Sequence, residues 1–253
     1  MNHIEVAILE DSTIQAAERL MVTAARLTQR NEKITGMDDL LALHSWGHSP
    51  VLVKNLCKLP HPTLQKFGTI TIAIVGASRR FLAQITRHQN EVKYMSGSLQ
   101  YSDMSGAAQF VVPYEMIADA ELSERYHDNC EASLREYEDM VAYGCDHDAA
   151  GYLMPQGMRN TLLISATPYQ WKHMIKQRVC RRNTSETRWV MLKCWEKLLE
   201  ASPTLFSDLG APCQVGYCPE GSMSCKSPIP KELTPTEIMQ TDYPLMYELF
   251  DVT

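Results

Sequence analysis

The chain has 253 residues, with 24 Lys+Arg against 30 Asp+Glu, a net charge of −6 and 45% hydrophobic residues. That apolar content excludes a disordered chain, and the length suffices for one domain with a sizeable core. No run approaches the ~20 apolar residues of a membrane span, and the mild acidity argues against a broad surface for nucleic-acid polymers.

The opening segment MNHIEVAILEDS has acidic residues inside a short apolar run and lacks the basic start of an export signal. A cytoplasmic setting with reduced thiols is therefore expected for the eight cysteines. Ser12 and Gln15 fit a capping box, and Ile14, Ala17, Met21, Ala24, Ala25 and Thr28 recur at helical spacing, which predicts a helix over 13–30. Short helices are expected over 38–44 and 50–58, joined at Trp46-Gly47-His48-Ser49-Pro50, with Ser49 as N-cap and Pro50 at the first helical position. The stretch 67–75 alternates with period two and reads as a strand that Gly76 breaks, followed by a helix over 78–89.

Gly97, Gly106 and several serines mark a loop over 95–112. Pro113 then opens a long amphipathic helix to about 143, with Met116, Tyr126, Cys130, Leu134, Tyr137 and Val141 on one side. Pro155 and Gly157 precede a second strand over 160–166. Thr167-Pro168 pairs an N-cap with Pro and starts a helix carrying Trp171, Met174, Ile175 and Arg178, and another helix follows over 185–200. Past Pro203 the composition turns to Pro, Gly and Cys and reads as loop. The expected fold is α/β (α+β), a single domain over 1–205 with a central sheet flanked by helices, and a C-terminal Cys/Pro-containing extension over 206–253.

Neither a dinucleotide glycine fingerprint nor a phosphate loop is present, nor a G-x-S-x-G or H-E-x-x-H motif. Four clusters could carry chemistry. Gln84, Arg87 and His88 share one helical face and could grip a phosphate or a base edge, although such spacing also describes a solvated basic face. Ser96 to Ser102 offers small and hydroxyl residues that let a ligand near the backbone, as many ordinary loops do. His173 and Arg178, followed by Arg181, Arg182, Glu186 and Arg188, could stabilise an anion forming on a ring or could make a salt-bridged surface helix. Cys213, Cys218 and Cys225 match no standard zinc spacing and lack a local fourth ligand, so free thiols and no metal are expected.

Together these segments resemble the flavin-dependent thymidylate synthases. The string SRRFLAQITRH over 78–88 is similar to the family's signature, SLQYS over 98–102 to its Ser-x-Arg-Tyr-Ser loop, and GHSP over 47–50 to its flavin loop. The block from Leu153-Met154-Pro155 through Arg178 to Glu186 and Arg188 keeps the family's spacing, and the similarity runs from about 10 to 205.

The resemblance implies a homotetramer with active sites where subunits meet. It implies reductive methylation of dUMP to dTMP, with methylenetetrahydrofolate as one-carbon donor, NADPH-reduced FAD as hydride source and no cysteine nucleophile. It assigns nucleotide contacts to Gln84, Arg87, Ser98 and Gln100. The stretch after His88 is one residue longer than the family's, so Ser96 is the alternative for that serine. Flavin contacts fall on Ser49, Arg87, His88, Gln89, Thr167, Tyr169 and His173. Arg178 matches the arginine that favours the ionised pyrimidine. Gln89, Gln100, Gly151 and Tyr169 stand where the family usually has Arg. The same scaffold acting on C5 of another pyrimidine nucleotide, by methylation or hydroxymethylation, is the second reading, and a non-catalytic homologue the third.

Overall fold

The structure, a computed structural model, describes residues 1 and 3–250. Four strands form one antiparallel sheet in the order β1-β2-β4-β3. They are β1 (Glu5–Ile8), β2 (Ile70–Ser78), β3 (Val92–Ser96) and β4 (Arg159–Ala166). The period-two pattern predicts the two central strands and neither edge. β1 lay in the segment read as a plain N-terminus, and β3 overlaps the start of the expected loop. The edge strands are short and partly polar, so the alternation that marks β2 is too brief in them to read.

In β2 the period-two pattern buries Ile70, Ile72 and Ile74, which face Ala166, Ile164 and Leu162 across the β4 register. The register shifts between Val75 and Ala77, where Gly76 takes φ +86°, a conformation open to glycine and costly for other residues.

The N-terminal helices are α1 (Ser12–Arg30), α2 (Met37–Ser45) and α3 (Pro50–Cys57), as their patterns predicted. The expected capping box is absent: Asp11 occupies the N-cap position, and the Ser12 hydroxyl donates to Glu10 instead. α4 (Arg79–Ile85) is shorter than the helix expected to run to 89, because the chain turns at Thr86 and His88 N–H donates to the Ile85 carbonyl. The expected long helix after Pro113 splits into α5 (Tyr114–Ile117) and α6 (Ala120–Ala142), the latter capped by Asp119, and the one-turn α7 (His147–Ala150) follows.

α8 (Pro168–Arg178) and α9 (Ser185–Ala201) cover the sheet. The Trp171 indole on α8 is fully buried and donates to the Ile70 carbonyl at 2.9 Å, tying helix to sheet. α9 is the most extensively buried helix, with Trp189 to Leu192, Cys194, Trp195 and Leu198 enclosed by neighbours and even Glu186 and Arg188 in its first turn buried. It packs against α8, β1 and β2 on one side and the C-terminal segment on the other.

That segment is not the loop expected from its composition. It holds α10 (Pro203–Phe206), α11 (Pro212–Val215), α12 (Pro235–Asp242) and α13 (Pro244–Phe250). Asp242 accepts from Arg181 at 2.7 Å and from Arg188 at 2.6 Å, and Tyr243, itself buried, accepts from Arg188 at 3.0 Å. Among the described residues no helix is long and apolar enough to cross a membrane.

Candidate active site

The signature segment and α8 meet through one guanidinium. Arg178 Nε donates to His88 Nε2 at 2.9 Å, its Nη2 donates to the Gln84 carbonyl at 2.8 Å, and its Nη1 donates to Asn183 Oδ1 at 3.3 Å. Guanidinium groups only donate, so His88 Nε2 carries the lone pair and its proton sits on Nδ1. Burial, then the nearby charges of Arg178 and His173, push the His88 pKa down to about 4. The imidazole is therefore a neutral acceptor. Burial and the neighbouring Arg87 lower the Arg178 pKa, yet a group starting at 12.5 remains a cation. The His173 ring stands edge-on to His88 at 5.8 Å.

Tyr94, the pair Thr184 and Thr187, and Glu186 hold this arrangement, and of these the sequence pattern points only to Glu186. The Tyr94 hydroxyl on β3 lies 2.8 Å from the carbonyl oxygens of both Ile85 and His88, pinning the turn that carries Arg87. Thr187 and Thr184 donate to Gln84 Oε1 at 2.6 and 3.3 Å, so the amide oxygen is fixed and its NH2 group is left for a ligand. Glu186 is buried on α9 and accepts from both the backbone N–H and the hydroxyl of Ser78, anchoring the start of α4. Burial raises the Glu186 pKa, and the Ser78 bonds oppose that rise. The threonine and Glu186 contacts join residues far apart in sequence, whereas Tyr94 reaches back across the short turn between α4 and β3.

Gln84, Arg87, His88, His173 and Arg178 thus form one cluster. Thr167 caps α8, accepting from Gln170 N–H at 3.2 Å and donating to Glu91 at 3.0 Å. Glu91 pairs with Lys66 at 2.6 Å, and Lys66 lies 5.0 Å above the Tyr169 ring. Gln89 is exposed beyond the turn. Ser49 caps α3, accepting from Leu52 N–H at 3.3 Å, and is exposed. The remaining residues sit apart. Ser96 ends β3, Ser98 lines a separate cleft, and Gln100 is exposed. Gly151 packs against Leu99 of that loop, and a Cβ there would lie 3.2 Å from the leucine side chain, which would have to shift to admit a longer residue.

Along the outer side of α8 run three neighbouring concavities. The first, of about 280 Å³, is lined by Tyr169, Lys172, His173 and Lys176. The second, of about 360 Å³, shares His173 and Lys176. The third, of about 640 Å³, is lined by Arg178, Cys180 and Arg181 and walled opposite by the cysteine-bearing segment. Among glycine, proline, glutamine and aliphatic residues, the first two present Tyr169, Tyr217, His173, Lys172 and Lys176, and Asp208 is their one carboxylate, paired with Lys172 at 2.7 Å. Such a donor set fits an aromatic cofactor bearing a diphosphate. Among the described residues no group of His, Cys, Asp or Glu could hold a metal ion, and all eight cysteines are free thiols.

The sequence matches the family model described as Thymidylate synthase complementing protein over residues 9–204. A flavin-dependent thymidylate synthase from Thermococcus onnurineus is 29% identical over 171 residues, covering 64% of this chain and 69% of that protein. Another from Geobacter sulfurreducens is 25% identical over 209 residues, covering 82% and 88%. Among solved structures, a UMP/dUMP methylase PolB from Streptomyces cacaoi, bound with 5-Br dUMP, matches with a TM-score of 0.62 at 14% identity, over 81% of this chain and 93% of that one. That last likeness is one of fold. The matched segment spans β2, β3 and β4 of the sheet, the signature helix and the Arg178 cluster, and the chain belongs to the thymidylate synthase complementing protein family.

Proposed function

We propose that the protein is a flavin-dependent thymidylate synthase that methylates C5 of dUMP, with Arg178 as its activating cation. The observation that carries this reading is the guanidinium of Arg178 held by neutral His88 and by the Gln84 carbonyl, with unengaged N–H groups left on its η nitrogens.

The chemistry asks for such a group. C5 of uracil becomes nucleophilic as negative charge gathers on the N3–C4–O4 system. A cation that never titrates, fixed at the edge of a cavity, stabilises that charge without reorganising. Neutral His88 fixes the guanidinium without cancelling its charge, as a carboxylate partner would. Gln84, its oxygen held by two threonines, offers its NH2 group to a pyrimidine carbonyl. Arg87 is exposed beside this cluster and supplies a second cation for the nucleotide or cofactor. FAD, when bound, supplies the hydride. Thr167, Tyr169 and His173 at the head of α8, with Arg87, Gln89 and Ser49, are the residues proposed to hold it. NADPH and methylenetetrahydrofolate are the proposed cosubstrates, and the cytoplasm the proposed setting.

Within one chain the Ser98 loop lines a cleft that shares no residue with the cavity of Arg178. That separation supports a homotetramer in which a second copy completes each site, and light scattering on the purified protein checks it.

The glutamines at 89 and 100 and Gly151, where the family usually has Arg, favour a second reading, in which another pyrimidine nucleotide is the substrate. One experiment separates the two. Purified protein is loaded with FAD and given NADPH, methylenetetrahydrofolate and UMP, dUMP or dCMP in turn, and products are read by mass spectrometry. The proposal expects flavin uptake and dTMP from dUMP. A methylated product from UMP or dCMP alone selects the second reading, and no flavin uptake defeats both.

A further inference from the structure

The second concavity on the outer side of α8 carries an inference that deepens the proposed function and rests on it. It measures about 360 Å³. One wall is α8 itself, with His173, Lys176 and Gln177, and the other is the chain from Pro212 to Pro219, which carries Tyr217. That second wall lies beyond residue 204, where the match to the family ends.

The first and second concavities differ in what they leave unmet. In the first, Gln65 is only 6% exposed; its Nε2 donates to the Cys57 carbonyl at 3.3 Å, and its buried Oε1 has no partner. An enclosed acceptor of that kind suits a resident ligand. In the second, His173, Lys176 and Gln177 are exposed, and Tyr217 is 83% exposed. An open groove with such a lining suits a ligand that arrives and leaves. His173 and Lys176 line both concavities, so ligands seated in the two would adjoin.

Charge narrows the class of ligand. The lining of the second concavity holds one lysine and no Asp or Glu. The carboxylates of the adjoining walls are already engaged, Asp208 by Lys172 and Glu220 by Arg182, each at 2.7 Å. Among the described residues the Lys176 and Tyr217 side chains make no hydrogen bond, ion pair or ring contact. The wall that presents the tyrosine is fixed on both sides. Before it, the Gln214 side chain accepts from Ala211 N–H at 2.9 Å and donates to the carbonyls of Pro230 and Leu233 at 3.0 and 3.2 Å. After it, Arg182 donates to Glu220 at 2.7 Å and to the Met223 carbonyl at 2.6 Å. A ring on a pinned segment stacks on a ligand at little ordering cost.

We propose that this groove docks a diffusing cosubstrate that carries a flat ring and an anionic arm, with the ring stacked on Tyr217 and the arm on Lys176. Both proposed cosubstrates have that chemistry, NADPH in its adenine and phosphates and methylenetetrahydrofolate in its aminobenzoyl ring and glutamate carboxylates. The C-terminal segment is then a working wall of the site.

The test uses the full-length protein loaded with FAD, wild type against Tyr217→Ala, Tyr217→Phe and Lys176→Gln, titrated calorimetrically with NADP+ and with tetrahydrofolate. In Tyr217→Ala the Kd for one of the two should rise about 3–10-fold, the range of a lost aromatic stack, and the compound affected names the source. Tyr217→Phe should bind as wild type does. Lys176→Gln should weaken the same compound at low salt and match the wild type at about 1 M salt, because an exposed ion pair is screened. Both Tyr217 variants should keep the wild-type affinity for FAD. The inference is overturned by unchanged Kd values for both compounds in Tyr217→Ala, by an equal loss in Tyr217→Phe, or by an equal loss for FAD. Should the protein take up no flavin, the function above fails, and the same titrations of the flavin-free protein still decide the groove. Equal melting temperatures of the four proteins exclude misfolding, because neither side chain has a partner to lose.

Discussion

His88 is buried among cations and donates nothing to Arg178; it accepts. Its folded pKa of about 4 lies below the ordinary value of 6.5. Between those values the unfolded chain takes up a proton that the folded protein refuses. Stability from this group is therefore complete above pH 6.5 and is lost progressively as pH falls toward 4. NMR of the imidazole resonances, assigned with His88→Gln, should show His88 neutral at about pH 5. The wild-type melting temperature should fall more steeply with acid than that of His88→Gln. A His88 resonance that titrates at or above the ordinary value contradicts the bond direction. The identity of these residues was legible from the string over 78–88. Their geometry was not, because the partners that orient them, Tyr94, Asn183, Thr184 and Thr187, belong to elements whose approach is set by tertiary packing.

α12 shows the same limit one scale up. Thr234-Pro235 with Glu237 is a capping box, the Thr-Pro start that announced α8, yet the surrounding Pro, Gly and Cys residues masked it. The helix matters because Asp242 at its end receives Arg181 and Arg188 from the α8–α9 junction. Burial opposes its charge, but the two guanidiniums outweigh burial and hold its carboxyl below the usual range. Asp242→Ala strands two cations, one of them almost wholly buried, and should destabilise the fold by about 3–5 kcal/mol. Denaturant unfolding measures this, and limited proteolysis should show cleavage within 206–234 before the sheet is lost. A variant as stable and as resistant as wild type would mean that packing of Tyr243 and Met246 alone holds the segment. The central strands and main helices were legible because they repeat with period 2 or 3.6. The edge strands and the one-turn helices are too short to repeat.

At the scale of the molecule, α8 organises the proposed chemistry. Its buried side ties to the sheet through Trp171, its head carries Thr167 and Tyr169, its middle His173 and its end Arg178. The segment over 206–229, outside the stretch matched to the family, walls the cavity into which the Arg178 end opens. Composition marked this segment as an appendage, because nothing in a run of Pro, Gly and Cys reveals which helix it faces. The account stands on Arg178 as the fixed cation that makes C5 nucleophilic. The most direct test is kcat for dUMP methylation by flavin-loaded wild type, Arg178→Ala and Arg178→Lys. Flavin content should persist in all three while kcat falls about 10²–10³-fold in both variants, since a lysine point charge cannot reach both His88 and the Gln84 carbonyl. An Arg178→Ala protein that keeps its flavin and turns over dUMP at the wild-type rate would contradict the account.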